Sequence, residues 1–381
     1  MSSTDDSNDP KKLHHILILG ASYGSLLSTK ILMAGHDVTL ICRASTAAIF
    51  NEEGSIIRTP VKGSDELVEI RSKNLSGTLT ACTPESILSN GLLDSFDLAV
   101  LAMQEPQYSA PGVRDLVIRI ASDKIPTMAV TNMPLIPYLK RIPKVSDIEN
   151  NLGSCFCEPS LWSHFDPDVL TQCSPDPQAF RPNADPQPNL LQVRLPTNFK
   201  AARFTSDQHT AILERLAHDI EAARFGSDNP MQIPVKLRVH DSLFVPLAKW
   251  AMLMAGNYRC IPPYPADMIS ICDAVTSDLN ASRAVYDWVV QLCVDLGGHA
   301  TRDFVPFDKY AAAAKSLQSP SSAARALANG ATSIERVDKV VLLLAQQQGK
   351  QLQAVTAIVA AVDEWLAQNE KKKQEGGVSK E

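Results

Sequence analysis

The sequence predicts an α/β domain followed by an all-α domain: a doubly wound parallel sheet, then a set of packed helices. Three observations point there. Residues 15–43 run strand, turn, helix, strand. Short apolar runs and helical patterns keep alternating to about residue 236. From about residue 240 the chain reads almost entirely helical, and the switch sets a domain boundary near 236–241.

The first strand is Ile16, Leu17, Ile18 and Leu19, apolar on both faces as a buried parallel strand must be. Gly20 lets the chain turn sharply. Gly24 and Ser25 open a helix bearing Leu26, Leu27, Ile31, Leu32 and Met33, which Gly35 ends. Val38, Thr39, Leu40 and Ile41 make the second strand, and Arg43 follows it. Free N–H groups and the dipole at a helix N-terminus suit a diphosphate. This order of elements therefore predicts a dinucleotide site built from Gly20, Ala21, Ser22, Tyr23, Gly24 and Ser25. The glycines fit the G-x-G-x-x-G pattern with one residue deleted from the loop. Arg43 stands where NAD enzymes commonly place an acidic residue on the ribose hydroxyls. An arginine there, followed by Ser45 and Thr46, suits a 2′-phosphate, so the expected cofactor is NADP(H).

Further buried-strand runs follow at 97–102 (DLAVLA) and 127–132 (TMAVTN). Residues 166–198 are rich in Pro, Asp, Asn and Gln and read as a long loop or insertion, spanning about 160–200. Residues 207–224 form an amphipathic helix with Ile212, Leu213, Leu216, Ile220 and Ala223 on one face. Helical patterns then cover 241–257, 265–296, 307–317, 321–330 and 333–368. The expected organisation is a disordered lead-in over 1–13, a sheet domain over 14–238, a helical domain over 239–367 and a disordered charged tail over 368–381.

At 381 residues, 45% hydrophobic and 20% charged, the chain can build two globular cores. A net charge of −6 argues against nucleic acid or an anionic membrane as partner. No apolar stretch approaches the ~20 residues of a membrane span. The N-terminus lacks an apolar signal core, so a cytoplasmic location is expected. Of eight cysteines only Cys155 and Cys157 are close, and they read as neighbours on one face of a strand. Without a second pair they make no zinc site, and no metal is expected. His164, beside Trp162, reads as a polar loop residue. The chain has no G-x-S-x-G elbow, H-E-x-x-H helix or P-loop lysine signature, so hydrolase, zinc protease and NTPase chemistries lack their parts.

One helix carries an unexpected charge. Lys249 sits among Leu247, Trp250, Met252, Leu253 and Met254, where a lysine must snorkel, find an acid or do chemistry. Asn257 lies eight residues on, about two turns away. A partly desolvated ammonium donates a proton near neutral pH, as a ketone accepting hydride requires.

With the Rossmann-type opening, a strand ending in LAMQ, another ending in Asn132 and this K…N helix, the chain resembles the ketopantoate reductase family. The resemblance covers most of residues 15–365, apart from the 160–200 insertion. GHDVTLICR (35–43) is close to the family's second strand, and PLAKWAMLMAGN (246–257) to its W-x-K-L-x-x-N-x-x-x-N helix. The fold implied is a Rossmann-type domain followed by a 6-phosphogluconate-dehydrogenase-C-terminal-like helical domain. The activity implied is NADPH reduction of 2-dehydropantoate or a related carbonyl, which raises a place in pantothenate biosynthesis. The resemblance carries the catalytic lysine onto Lys249 and a substrate-binding asparagine onto Asn257. It carries the asparagine near nicotinamide and substrate onto Asn132, and the cofactor-side V-K-A-x-Q segment onto Met103, Gln104 and Gln107. The late substrate serine falls on Ser321 or Ser322, which could equally cap the helix that follows. The essential glutamate falls on Glu335 when the acid is the anchor. Anchoring on Gly349 puts Ser333 there and Glu335 at the family's next aspartate. Glu335 is taken as the acidic partner, the alternative being an i,i+4 partner of Lys339 on a solvated helix face.

Three positions depart from the family: Gln104 replaces its lysine, Met133 the glycine of its N-G pair and Leu253 the first helix asparagine. Each is read as removing a polar group from the neighbourhood where a hydroxylated keto acid would bind, which favours a larger or more apolar carbonyl than ketopantoate. The expected function is an NADPH-dependent reductase of a small 2-keto acid or ketone, with a homodimer left open. One rival is an opine-type dehydrogenase reducing an imine, for which His299 is the available histidine. The other is a non-catalytic NADP(H)-binding protein of the same fold.

Overall fold

The structure is a computed structural model that describes residues 13–63, 66–182 and 187–378. Its strands are β1 (His15–Leu19), β2 (Asp37–Ile41), β3 (Ile56–Pro60), β4 (Leu67–Arg71), β5 (Leu79–Cys82) and β6 (Leu98–Leu101). They continue as β7 (Thr127–Val130), β8 (Leu170–Ser174), β9 (Gln178–Phe180), β10 (Leu190–Leu195), β11 (Phe199–Ala202) and β12 (Leu237–His240). Eight of them make one sheet in the order β12-β11-β8-β7-β6-β1-β2-β5. It is parallel from β5 through β8. β11 then runs antiparallel to β8, and β12 parallel to β11.

From β1 the chain winds one way to β2 and β5, and from β6 the other way to β7 and β8. The order reverses between β1 and β6, and in open α/β sheets the ligand crevice lies at such a switch point, outside the carboxyl ends of the strands. The sheet is buried on both sides. Ile16, Ile18, Leu98, Val100 and Met128 pack with the helix Tyr23–Met33 and with Leu213, Leu216 and Ile220 of the helix Asp207–Ala222. Leu17, Leu19, Ala99, Leu101 and Ala129 share the other core with Leu247, Trp250, Val340 and Val341 of the helical domain. That continuous core fixes the two halves of the chain against each other.

The doubly wound sheet followed by helices agrees with the sequence reading, but three local expectations are corrected. Residues 166–198 are not simply loop. β8 and β11 extend the main sheet, while β9 and β10 join β3 and β4 in a second sheet of order β4-β3-β10-β9. Polar residues concealed β8. The Thr171 hydroxyl donates to Ala202 O at 2.7 Å, and the Gln172 amide donates to Thr131 O at 2.7 Å. Their polarity is spent inside the core, so the strand lacks an apolar signature. The charged tail is helical: the last helix spans Gln353–Val378. Asn369 anchors it, donating to Leu327 O and Ala331 O at 2.8 and 2.9 Å. Cys155 and Cys157 do not share a strand face; Cys155 is buried in a 3₁₀ turn and Cys157 is exposed. Residues 1–12 of the lead-in and 379–381 of the tail lie outside the described residues. No described helix is long and apolar enough to cross a membrane.

Candidate active site

The β1–helix turn sits at the point where the strand order reverses. Gly20 has φ +113°, a conformation glycine takes freely. A Cβ there would lie 2.6 Å from Met103 Cγ and 2.7 Å from Ala102 O, so the turn touches the chain leaving β6. At Gly24 a Cβ would lie 2.8 Å from Ile18 Cγ2, which explains how closely the helix packs on β1. Ser22 precedes the helix without capping it through its side chain, and the first turn holds no acidic residue. The first N–H groups of a helix have no intrahelical acceptor. The residues of this turn therefore fit a bound diphosphate: the helix N-terminus has no side-chain cap, and its first turn holds no acidic residue.

Arg43 is exposed at the end of the second strand and makes no ion pair among the described residues. Gln104 and Gln107 are exposed beside the same crevice. The Gln107 side-chain oxygen accepts the Gln104 N–H at 3.1 Å, and the Tyr108 hydroxyl accepts the Met103 N–H at 2.9 Å. These contacts fix the turn leaving β6.

Lys249, Glu335 and Asn132 come together although they are far apart in sequence. Asn132 follows β7, and its side-chain amide donates to Glu335 Oε2 at 3.3 Å. The backbone N–H of Glu105, just past β6, also lies near the Glu335 carboxylate and favours its charged form. Lys249 donates to the carbonyl of Pro175, just past β8, at 2.6 Å. The cluster thus spans the carboxyl ends of three successive parallel strands. Asn132 Oδ1 is buried without a partner among the described residues. A buried amide oxygen with no donor is an open acceptor for a ligand.

Glu335 is not on a solvated helix face. It lies in the extended segment before the helix Val337–Gln347, and only 8% of it is exposed. The Tyr258 hydroxyl clamps that segment, donating to Glu335 O at 2.5 Å and accepting the Val337 N–H at 3.2 Å. Burial pushes the Glu335 carboxyl up to about 7, against the pull of Asn132, Lys249 and the Glu105 N–H. The Glu105 charge adds to the rise. Burial also pushes the Lys249 ammonium below the ordinary lysine range, while the charges of Asp176 and Glu335 draw it back up. An acid raised and a lysine lowered, near enough for their charges to interact, are groups suited to proton transfer near neutrality.

The helix bearing Lys249 (Lys249–Met252) widens into a π turn over Leu253–Asn257, where Tyr258 N–H donates to Leu253 O. In a straight α-helix Asn257 would sit about 80° round from Lys249. The wider turn reduces that offset and brings the two residues nearer to one face. Ser321 does not reach Lys249. Its hydroxyl accepts the Ala324 N–H and donates to Asn257 O at 2.7 Å, so it caps the helix Ser322–Ala328 and holds the Asn257 backbone. Ser322 is exposed at the start of that helix. Met133 and Leu253 are core residues, 0% and 5% exposed.

Three residues of the site were not found by reading the sequence. Glu105 is buried and accepts Trp162 Nε1–H and the Cys157 N–H. Asp176 pairs with Lys200 at 2.8 Å and lies next to the Lys249 acceptor, Pro175. Tyr258 orders the Glu335 segment. Only the charge of Glu105, next to Gln104 in a turn otherwise read for its cofactor contacts, could have drawn notice. His299, the histidine the opine-type rival needs, is exposed and caps the short helix Ala300–Asp303 through its ring. Among the described residues no cluster of His, Cys, Asp and Glu could hold a metal ion.

No protein-family model and no curated protein matches the sequence. Solved structures do match. The chain aligns with 2-dehydropantoate 2-reductase from Methylococcus capsulatus over 94% of its own length and 98% of the other, with TM-score 0.61 and 11% identity. The chain has the fold of the ketopantoate reductases. A dimeric ketopantoate reductase from Staphylococcus aureus is similar over 93% of this chain and 99% of that one, with TM-score 0.54 and 7% identity. The chain is also similar to D-mandelate dehydrogenase, solved with NADH and anilino(oxo)acetate. It aligns over 93% of this chain and 99% of its own, with TM-score 0.58 and 12% identity.

Proposed function

We propose that the protein is an NADPH-dependent reductase of the carbonyl group of a 2-keto acid or related ketone. The observation that carries the proposal is the cluster of Lys249, Glu335 and Asn132 at the carboxyl ends of β6, β7 and β8, beside the glycine turn of β1. Gly20, Ala21, Ser22, Tyr23, Gly24 and Ser25 would hold the dinucleotide's diphosphate, Arg43 its 2′-phosphate, and Met103, Gln104 and Gln107 the adjoining wall. A bound nicotinamide supplies the hydride. Lys249 gives a proton to the carbonyl oxygen as charge builds on it, and Glu335 keeps the ammonium charged and aimed. Asn132 and Asn257 orient the substrate or the lysine. The dimeric relative supports a homodimer, and the dinucleotide-bound dehydrogenase supports a pyridine nucleotide.

The test is to follow NADPH absorbance against 2-keto acids, lactones and diketones, with NADH run alongside. Oxidation of NADPH by at least one carbonyl class supports the proposal. Tight NADPH binding with no oxidation across the whole panel would favour a non-catalytic binding protein. Turnover only when a keto acid and an amino acid are both present would favour an imine reductase.

A further inference from the structure

The segment between β8 and the end of β9 reaches across the crevice. The Pro175 carbonyl accepts from Lys249 in the helical half. The Ala179 backbone approaches the Tyr23 hydroxyl, at the start of the helix Tyr23–Met33, closely enough to favour its ionised form. Arg181, just beyond β9, places Nη2 at 3.4 Å from the carbonyl of Ala21, inside the glycine turn. Both ends of the segment are anchored, β8 in the main sheet and β10 against β3 and β9. On the return strand Arg194 donates to Ser316 O of the helical half at 3.4 Å.

The position of Arg181 is electrostatically unusual. A guanidinium normally favours the C-terminal end of a helix, because the N-terminal end carries a partial positive charge. Here it stands at the N-terminal end of the helix Tyr23–Met33, whose first turn has no acid and no side-chain cap. The Arg325 charge, from the helix Ser322–Ala328, also reaches the Tyr23 hydroxyl. The carboxylates whose charge reaches that hydroxyl, Asp176 and Glu335, are engaged by Lys200 and Asn132. A guanidinium thus stands beside a helix N-terminus that has no side-chain cap, held there by the Ala21 carbonyl. A diphosphate would satisfy both, since arginine binds phosphate oxygens through a planar pair of N–H donors.

We propose that Arg181 is a cofactor-binding residue: it closes the glycine turn from above and binds the dinucleotide's pyrophosphate. This rests on the dinucleotide part of the function proposed above. It gives the β8–β9 segment a role in ligand binding, with Pro175 at the proton donor and Arg181 at the diphosphate.

The experiment is equilibrium binding of NADPH, NADH and adenosine 2′-monophosphate to the full-length wild type, Arg181→Ala and Arg181→Lys, with thermal unfolding as a control. Arg181→Ala should weaken both dinucleotides by about tenfold or more. It should leave the adenosine 2′-monophosphate affinity and the unliganded melting temperature unchanged, because that ligand has no pyrophosphate. Arg181→Lys should recover part of the loss. Dinucleotide affinities within twofold of wild type in Arg181→Ala would overturn the assignment. Tighter binding would overturn it too, by making the segment a plug. Wild type that binds neither dinucleotide would instead sink the dinucleotide reading, and Arg181 with it.

Discussion

The Asn132 side-chain amide donates to the Glu335 carboxylate at 3.3 Å, joining the end of β7 to a segment 203 residues later. This bond, with the Glu105 N–H and the charge of Lys249, only partly offsets the cost of burying Glu335. Its carboxyl is therefore raised from 4.5 to about 7.

That rise fixes a sign. The folded chain keeps a proton on Glu335 that the unfolded chain releases between pH 4.5 and about 7. The stability it contributes is full below pH 4.5, falls as pH climbs through the window, and is gone above about 7. Glu335→Gln, which mimics the protonated acid, should match wild type in unfolding free energy at pH 4. At pH 8 it should be more stable by roughly 3 kcal/mol. Urea unfolding at the two pH values decides this, and equal differences at both would show that Glu335 titrates normally.

Lys249 should separate chemistry from binding. Its Nζ is held by the Pro175 carbonyl and lies within reach of the Glu335 charge. Lys249→Met should keep the dissociation constant for NADPH within a few fold. It should lower kcat by about 10²–10⁴, the range of a lost general acid. Single-turnover and binding measurements on one preparation distinguish the two. Unchanged kcat would remove the lysine from the reaction.

Much of this was legible in sequence because it is written in local pattern. The β1–turn–helix–β2 unit is contiguous, and Ile16–Leu19 and Gly20 announce it. Lys249 stood out because its helix is otherwise apolar. What was not legible depends on partners far along the chain. Thr171 and Gln172 look like loop residues until their partners Ala202 and Thr131 are known. Glu335 looks like an exposed acid in a Lys/Asp-rich stretch, yet Tyr258 clamps its backbone and Asn132 holds its side chain. Ser321 matched a substrate serine by position, but its hydroxyl is used by Ala324 and Asn257.

Arg43 should set cofactor choice. It is exposed, precedes the helix Ala44–Glu53 and carries no ion-pair partner among the described residues, so its charge is free for a 2′-phosphate. Arg43→Ala should weaken NADPH by about 10- to 100-fold and leave NADH unchanged, because only the charge-assisted contact is removed. Titration of cofactor fluorescence measures both. An equal loss for the two cofactors would place Arg43 away from the 2′-phosphate.

Gly20 tests the crevice itself. With φ +113° and a would-be Cβ at 2.6 Å from Met103 Cγ and 2.7 Å from Ala102 O, alanine meets backbone strain and backbone contact together. Met103 Cγ is the end of a flexible chain and can move, but Ala102 O belongs to the strand end that carries Met103 and Gln104. Relief therefore requires the β1 turn and the β6 turn to separate. Strain of this kind costs on the order of 1–3 kcal/mol, so Gly20→Ala should still fold at reduced stability. Separation displaces the amides on which a diphosphate would rest, so dinucleotide affinity should fall far more than that penalty alone implies. If Gly20→Ala lowers the melting temperature but binds NADPH as wild type does, the dinucleotide does not lie on this turn.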